Sequence, residues 1–377
     1  MEELKTTCLN AHHRELGAKM SPFAGFDMPI EYEGIEAEHN AVRRHSGVFD
    51  VSHMGEVRIE GEDATAFVNH IFTNDVTLLE DGQIAYGMLT NDEGGVVDDL
   101  LVYRVSDAEY FLVINAANIK KDEDWILAQM NKFDAEDLSV SLESECWSEV
   151  AVQGPEAEAQ LQKIFPDIDL KALGFYHFYE LEVQGKDEDG EDVFFPMVIS
   201  RTGYTGEDGF EVYADEPVII ELWQQLLENG VVPCGLGCRD TLRFEAGLPL
   251  YGDELADDIT PLEAGLGMFV KLDKDFVGRD RLVAQKAEGL KRKVVGLEVD
   301  GMAIPRHGYE VLDPVTEEVI GHITTGYRSI TLGKNLAMAM VDAAHAPLSS
   351  EVLVRVRRKV FPAKVIKKRF YTPNYKK

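Results

Sequence analysis

A segment with the pattern of strand, turn and helix occurs twice in this chain, and such a repeat constrains the fold more than any single motif does. Residues 58–72 align without gaps with residues 151–165, and a glycine, two alanines, an isoleucine and a phenylalanine occupy the same places in both. In the second copy, Pro155 stands where a helix accepts proline, in its first turn. The repeat predicts two related α+β halves; chance recurrence of a common local pattern is the alternative.

Each copy is followed, further along the chain, by a hairpin with glycine in its turn. Residues 84–90 and 96–105 form the first pair of apolar, β-patterned runs, and residues 194–200 and 209–213 form the second. We find no regular alternation of strands with helices and no dinucleotide-binding fingerprint. The pattern therefore predicts an α+β fold built mostly from antiparallel hairpins.

A third unit begins near Lys291 and has a different pattern. Residues 293–299, 319–324 and 352–357 alternate or run apolar as strands do, with no long helical pattern between them. These segments predict a C-terminal domain that resembles a β-barrel. The length of the chain, 377 residues, agrees with two or three domains, since a single core seldom grows so large.

The charge of the chain is strongly negative and unevenly distributed. The formal net charge is −31, yet residues 351–377 contain ten basic residues and one acidic residue, so this segment carries +9 and the other 350 residues carry −40. The negative field disfavours general nucleic-acid binding. We expect the basic segment to be either a solvated strand or a docking patch for an acidic partner or an anionic ligand.

Location and metal content are predicted from what the sequence lacks. No apolar run has the length of a membrane span and the first residues are unlike a secretory signal, so we expect a cytoplasmic protein that does not associate with membranes. Cys234 and Cys238 form a C-x-x-x-C pair without a second pair of ligands. This spacing favours reduced cysteines over a zinc site, and we expect no metal.

Two adjacent carboxylates follow the first glycine turn. Asp98 and Asp99 are neighbours in an apolar strand, so their side chains point to opposite faces of the sheet. An inward carboxylate is costly without a partner, which makes one of the two a candidate for function. A carboxylate that satisfies the backbone N–H groups of a turn is the structural alternative.

A second group of candidates surrounds the second glycine turn. Glu211 lies inside an apolar strand and can accept two hydrogen bonds from a flat amino-amide edge, or it can be a surface acid on a half-exposed strand. Arg239, at the start of a predicted helix, can bind a ligand carboxylate or pair with a nearby acid. Tyr86 and Tyr204 can stack on a ring or pack in a core.

Five segments resemble the aminomethyltransferase of the glycine cleavage system, the T-protein family, and occur in that family's order. The resemblance extends from about residue 7 to the C-terminus. The segments are 50–56 (DVSHMGE), 94–100 (GGVVDDL), 115–118 (NAAN), 200–211 (SRTGYTGEDGFE) and 235–240 (GLGCRD).

The resemblance implies a three-domain cloverleaf around a central folate cavity. Two related, mostly antiparallel α+β halves, at about 52–145 and 146–250, would form a folate-binding region over residues 1–275 with an interleaved N-terminal segment. Residues 285–374 would form the barrel domain. The implied reaction transfers the methylene unit of an aminomethyl group, carried on the lipoyl arm of the H-protein, to tetrahydrofolate and releases ammonia. Functional cooperation with the P- and L-proteins is implied as well.

Residue roles are implied by the same segments. Asp99 matches the family's catalytic aspartate, which orients folate and stabilises developing positive charge. Glu211 would bind the amino-pyrimidinone edge of the pterin. Further folate contacts are implied at Arg239, Tyr86, Met54, Asn115, Tyr204 and Tyr375.

Two other functions are known for relatives with this kind of fold. One is a folate-dependent demethylase of a small sulfonium, which would need no H-protein. The other is a non-catalytic folate-binding assembly factor for iron–sulfur proteins, whose members carry a cysteine in the loop that here is 201–206 (RTGYTG). This chain has no cysteine in that loop, which favours the aminomethyltransferase.

Overall fold

The N-terminal segment supplies a hairpin, two helices and a strand that joins the sheet of the second half. The computed structural model describes residues 4–186 and 192–372. Among these residues, no helix combines the length and the apolar composition that crossing a bilayer requires. The elements of the segment are α1 (Asn10–Glu15), β1 (Lys19–Phe23), β2 (Phe26–Glu31), α2 (Ile35–Arg44) and β3 (Gly47–Asp50).

The first half is a five-stranded antiparallel sheet with its helices on one face. The strand order is β5-β6-β7-β4-β8. Apolar residues of the sheet and of the two helices form one core cluster on that face. The elements are β4 (Gly55–Glu60), α3 (Ala64–Ile71), β5 (Gln83–Thr90), β6 (Val96–Ser106), β7 (Glu109–Ile114), α4 (Ile119–Met130) and β8 (Ser139–Leu142).

The second half is a six-stranded sheet that includes a strand from the N-terminal segment. Its order is β10-β11-β12-β9-β3-β13, and only the short β13–β3 pair is parallel. The N-terminal segment is therefore interleaved with this half. The elements are β9 (Ser148–Gln153), α5 (Ala157–Ile164), β10 (Phe178–Lys186), β11 (Asp192–Ser200), β12 (Gly209–Ala214), α6 (Glu216–Glu228) and β13 (Val232–Pro233).

The topology relates the two halves as the repeat predicts. The order β5-β6-β7-β4 in one sheet corresponds to β10-β11-β12-β9 in the other. Gly61 and Gly154, equivalent in the alignment, end their strands with φ of 123° and 128°, a conformation that side chains other than glycine rarely adopt. The two glycine-turn hairpins, however, are not equivalent, because β5–β6 in the first half corresponds to β10–β11 and not to β11–β12.

The two sheets pack face to face, with their helices on the outside. In β6, Leu100 and Val102 face the helices, whereas Tyr103 faces the other sheet. In β12, Phe210 and Val212 face the helices and Tyr213 faces the first half. From Asp99 onward in β6 and along β12, odd-numbered residues therefore point into the layer between the sheets, whereas Val97, earlier in β6, packs on the helix side.

The last third of the chain is a closed six-stranded barrel, as its strand pattern predicts. The barrel order is β14-β17-β16-β15-β18-β19. It follows the helices α7 (Leu236–Ala246) and α8 (Arg279–Glu288). Its strands are β14 (Arg292–Val299), β15 (Glu310–Leu312), β16 (Val319–Arg328), β17 (Asn335–Asp342), β18 (Glu351–Val356) and β19 (Lys359–Ile366). Short 3₁₀ turns occur at Val76–Leu78, Ala116–Asn118, Gly267–Phe269 and Ala343–His345.

Candidate active site

The adjacent aspartates of β6 have different surroundings. Asp98 is fully buried and points to the helix side of the sheet, where Asn118 donates a hydrogen bond of 2.6 Å to its Oδ1. Asp99 is half-buried and points into the layer between the two sheets. Strand alternation thus places Asp99, and not Asp98, where a substrate can reach it.

Two neighbours hold the Asp99 carboxyl group. The Tyr86 hydroxyl donates to Oδ2 at 2.8 Å, and the Asn115 side-chain amide donates to Oδ1 at 3.0 Å. Burial, followed by the nearby charge of Asp98, raises the pKa of Asp99 to about 7. The carboxyl group can therefore exchange a proton near neutral pH, which is typical of functional sites.

Glu211 faces the same layer from the opposite sheet. It is buried on β12, and its Oε2 accepts a hydrogen bond from the hydroxyl of Thr202. Burial raises the pKa of Glu211, while the Thr202 bond and the positive charge of Arg239 oppose the rise. The second carboxylate oxygen is left to accept bonds from a bound ligand.

Arg239, near the start of α7, supplies a positive charge to this layer. Its guanidinium carbon lies 4.6 Å from the centre of the Tyr204 ring, a cation–π contact. Across residues 4–186 and 192–372, we find no hydrogen bond or ion pair to this guanidinium group. Tyr204 is fixed by its hydroxyl, which donates to the carbonyl of Pro249. Arg239 is thus a half-buried cation available to a ligand.

The loop between β11 and β12 is held by the side chain of Gln153. Its amide donates to the carbonyl of Thr202 at 3.0 Å and accepts from Thr205 at 2.9 Å. A Cβ atom on Gly203 would lie 2.1 Å from the Gln153 oxygen, and one on Gly209 would lie 2.4 Å from its nitrogen. Glycine is needed at both positions because the Gln153 side chain approaches the backbone closely, and this contact fixes the loop that carries Tyr204 and leads into the strand of Glu211.

Six of the predicted site residues are connected by contacts or by through-space electrostatics. Asp99 bonds to Tyr86 and Asn115, and its charge also acts on Tyr204, which contacts Arg239. Arg239 in turn acts on Glu211. Met54 is half-buried and packs against the core between the sheets. Tyr375 lies outside the described residues.

Comparison with known proteins agrees with this arrangement. The family described as "GCVT N-terminal domain" matches residues 9–274, and "Glycine cleavage T-protein C-terminal barrel domain" matches residues 292–372. The chain belongs to the glycine cleavage T-protein family. The T-protein-like segments predicted this membership, and the match confirms it.

Relatives in the T-protein family match along the whole chain. An aminomethyltransferase of Alkaliphilus oremlandii is 49% identical over 383 residues, covering 100% of both chains. One from Caldanaerobacter subterraneus is 47% identical, covering 100% of this chain and 98% of its own. The crystal structure of glycine cleavage system aminomethyltransferase T from Bartonella henselae has a TM-score of 0.91 at 32% identity, covering 100% of both chains. The predicted α+β fold with a C-terminal barrel and the predicted class, a one-carbon transferase, are confirmed.

A chain of buried hydroxyl groups behind Glu211 was not predicted. Tyr103 and Tyr213 are 3.1 Å apart at their oxygens, and Ser200 and Thr202 are 2.6 Å apart. Buried Glu149 ends the chain, and one of its oxygens has no partner among the described residues. Burial, then the charge of Glu211, raises the pKa of Glu149. In order, the connected side chains are Glu211, Thr202, Ser200, Tyr103, Tyr213 and Glu149.

Glu211 and Glu149 are thus the carboxyl groups at the two ends of this series of hydroxyl groups. A glutamate inside a strand can be recognised in the sequence as a candidate site residue. The hydroxyl groups that connect Glu211 to Glu149, however, come from residues that are far apart in sequence. Pattern alone could not pair them.

Cys234 and Cys238 form no disulfide bond. Glu38 completes a buried group of three candidate ligands whose atoms lie within 4.8 Å of one another, and spacing did not identify it. The Glu38 carboxylate accepts backbone N–H bonds from Tyr32 at 2.6 Å and from Gly235 at 2.8 Å. Glu38 thus joins α2 to the segment that leads into α7.

Proposed function

We propose that this chain transfers the methylene unit of an aminomethyl group, carried on lipoylated H-protein, to tetrahydrofolate. The observation that supports it most directly is the placement of Asp99 and Glu211 on facing sheets, with both side chains in the layer between them and Arg239 beside Glu211. A folate needs hydrogen-bond acceptors at its pterin edge and a carboxylate near its reacting nitrogens.

The role proposed for Asp99 follows from the charge that the reaction develops. The N5 nitrogen of tetrahydrofolate forms a bond to the methylene carbon as the bond from that carbon to the lipoyl sulfur breaks. The amino group then leaves as ammonia, N10 forms the second bond to the same carbon, and the protons released by N5 and N10 go to the lipoyl sulfur, which leaves as a thiol, and to the amino group. Positive charge develops on the methylene unit between these steps, and an ionised Asp99 stabilises it. Tyr86 and Asn115 hold the carboxyl group in place for this interaction.

The role proposed for the second sheet is to bind the pterin. Glu211 offers its second oxygen to the amino-pyrimidinone edge, and the positive charge of Arg239 favours the ionised form of Glu211 against the effect of burial on its pKa. Tyr204, Tyr86, Met54 and Asn115 line the space for the ring. We keep Tyr375 as a proposed folate contact from the C-terminus.

We further propose the partners and boundaries that the T-protein resemblance implies. The chain would act in the cytoplasm with the H-, P- and L-proteins and without a metal. Residues 1–275 would form the folate-binding region and residues 285–374 the barrel domain. Tetrahydrofolate would be a co-substrate that is consumed in each turnover.

A reconstituted turnover assay tests the proposal. H-protein loaded with the aminomethyl group is mixed with tetrahydrofolate, and methylenetetrahydrofolate and ammonia are followed with and without this chain. We expect release of both products in equal amounts only when the chain is present. Folate binding without release would contradict the proposal and favour the sulfonium demethylase or the non-catalytic folate binder.

For Asp99→Asn we expect loss of turnover with folate binding largely retained, because the amide keeps the shape of the side chain but not its charge. Loss of one preorganised electrostatic group costs a factor of about 100 to 1,000 in kcat. The matched control is Asp107→Asn, an exposed aspartate in the turn after the same strand. Normal turnover in Asp99→Asn would remove this residue from the mechanism.

For Glu211→Ala we expect weaker folate binding instead. Removing a charged acceptor that pairs with a ligand costs about 2 kcal/mol, or roughly thirtyfold in Kd. Titration calorimetry with tetrahydrofolate measures it, and Glu182→Ala, an exposed residue on the edge strand β10 of the same sheet, is the control. An unchanged Kd would refute the pterin role of Glu211.

A further inference from the structure

A second carboxyl pair lies directly behind Asp99. Asp98 and Asp122 are both fully buried, Asp98 on β6 and Asp122 in the first turn of α4. Asp98 receives three hydrogen bonds, from the backbone N–H of Asn115 at 2.9 Å and from the side-chain amides of Asn115 at 2.9 Å and Asn118 at 2.6 Å. Three donors around one carboxyl group are the surroundings that an ionised carboxylate requires.

Asp122 has the opposite surroundings. Neither of its oxygens receives a hydrogen bond from an N–H or O–H group among the described residues. Its carboxyl group lies within hydrogen-bonding reach of the Asp98 carboxyl group. The neighbouring Lys121 ammonium group donates elsewhere, to the carbonyl of Val97 at 2.5 Å and to the hydroxyl of Tyr251. Two ionised carboxylates cannot form a hydrogen bond with each other, because neither has a hydrogen to donate. A proton on Asp122 makes Asp122 the donor and Asp98 the acceptor.

The electrostatics of the pair agree with its geometry. Burial, followed by the negative charge of Asp98, raises the pKa of Asp122 to about 11. Burial also raises the pKa of Asp98, but the bonds from Asp122 and Asn115 oppose that rise. Asp98 is therefore the member of the pair that ionises first, and Asp122 keeps its proton at neutral pH.

The pair is coupled to Asp99 by contact and by charge. The side-chain amide of Asn115 donates to both Asp98 and Asp99, so a single group sets the orientation of both. The ionisable groups around Asp99 are Asp98 on its own strand, Tyr86 on β5, Tyr204 from the second half and Asp122 on α4. Of these, Asp98 is the one that is ionised at neutral pH and raises the pKa of Asp99.

We propose that Asp122 is a positioning residue for the transfer reaction: it carries a proton, donates it as a hydrogen bond to Asp98, and so holds Asp98 as the anion next to Asp99 on β6. The inference rests on the proposed role of Asp99. As a consequence, the pKa of Asp99 stays raised, and Asp99 is ionised only in the upper part of the neutral range. Its ionised form is basic enough to stabilise a nearby cation.

The test compares two substitutions that differ in one donor. Asp122→Asn keeps an N–H group that can donate to Asp98, whereas Asp122→Leu has the same branched shape, is somewhat larger and has no donor. Without the donor, Asp98 takes up a proton more readily, Asp99 loses its negative neighbour and the pKa of Asp99 falls. We expect the acid limb of the kcat/KM profile to move down by about one pH unit in Asp122→Leu and to stay unchanged in Asp122→Asn.

A second variant keeps the proposal testable if Asp122→Leu does not fold. Asp98→Asn removes the anion without a substitution in α4, and we expect the same downward shift. Asp124→Leu, on the exposed face of α4, is the control for placing leucine in this helix. An unmoved acid limb in both Asp122→Leu and Asp98→Asn would overturn the proposal, as would an equal shift in Asp122→Asn.

A measurement independent of turnover separates this proposal from the proposed function. With aspartate labelled at its carboxyl carbon, carbon NMR at about pH 8 should show a protonated carboxyl signal that is absent from Asp122→Asn. A signal of an ionised Asp122 at that pH would overturn the hydrogen bond even if turnover is normal. A protonated Asp122 in a chain without transfer activity would leave the pair intact and overturn only the reaction.

Discussion

At the scale of single residues, neighbouring side chains of the same type have different properties because alternation sends them to different layers. Asp98 lies among donors that keep it ionised, whereas Asp99 lies beside that anion, and its pKa is raised to about 7. A carboxyl group with a raised pKa also affects stability, since the folded state resists its ionisation.

We expect Asp99→Asn to stabilise the folded chain more at about pH 8 than at about pH 4. The ordinary pKa of 3.8 rises to about 7 on folding. Below about pH 4 the group is protonated in both states. As the pH rises through the folded pKa, the stability of the parent chain declines because the unfolded state releases its proton first. Asparagine has no such loss, so the gain above pH 7 is about 1–2 kcal/mol after allowance for partial exposure.

Urea midpoints at the two pH values measure this effect, and their difference cancels the lost hydrogen bonds, which are the same at both. Asp107→Asn, in the exposed turn after β6, serves as the control and should show no difference between the two values. A gain of the same size at both pH values would mean that titration of Asp99 does not limit stability.

At the scale of elements, the loop between β11 and β12 depends on a buried arginine. The Arg201 side chain donates to Asp208 at 2.9 Å, to Glu158 at 2.9 Å and to the carbonyls of Leu170 and Leu173. It therefore ties the loop to the segment after α5. The sequence offered Arg201 only as part of a motif, and its role here is to hold the loop that carries Tyr204.

We expect Arg201→Ala to lower the free energy of unfolding by about 3 kcal/mol, because carboxylates and carbonyls in a largely buried setting lose their donor. Urea denaturation measures the loss. Arg281→Ala is the matched control: its ion pair with Glu93 is exposed and 3.9 Å long, so the change should be within about 0.5 kcal/mol. Equal losses in the two variants would show that Arg201 is not a support of the loop.

At the scale of the whole molecule, α7 joins the barrel to the two halves. Arg243 donates to Glu254 at 2.9 Å and to Thr325 of β16 at 3.2 Å, and Glu254 accepts from Thr325 at 2.7 Å. On the same helix, Glu245 accepts from Ser329 at 2.5 Å. The barrel is thus attached through buried, charge-assisted hydrogen bonds rather than through apolar contact alone.

We expect Arg243→Met to separate the melting of the barrel from that of the two halves. Removing the cation leaves Glu254 buried without a positive charge beside it, at a cost of about 3–5 kcal/mol. Scanning calorimetry should then resolve two transitions where the parent chain has one. Arg328→Met, exposed at the end of β16, is the control and should melt as the parent does. One unshifted transition in Arg243→Met would contradict the attachment described here.

The basic residues of the C-terminal segment differ in their exposure, which counting charges along the sequence does not show. The solvated-strand interpretation does not describe all of it, because Lys368 is half-buried and donates to the carbonyl of Ala264, and burial lowers its pKa to about 8. Arg355 pairs with Glu310. The docking patch for an acidic partner stays a prediction, and Arg357 and Arg358 are the exposed residues on which it depends.

Periodicity along the chain was sufficient to predict the two related halves, the C-terminal barrel and the opposite facing of Asp98 and Asp99, because each depends on spacing between near neighbours. The T-protein-like segments added which aspartate to choose. Packing decided the rest: it paired Asp122 with Asp98, linked Glu149 to Glu211 through four hydroxyl groups and brought Glu38 to the two cysteines. These groups are distant in sequence, and whether a buried carboxyl group is neutral or charged depends on the donors that folding places around it.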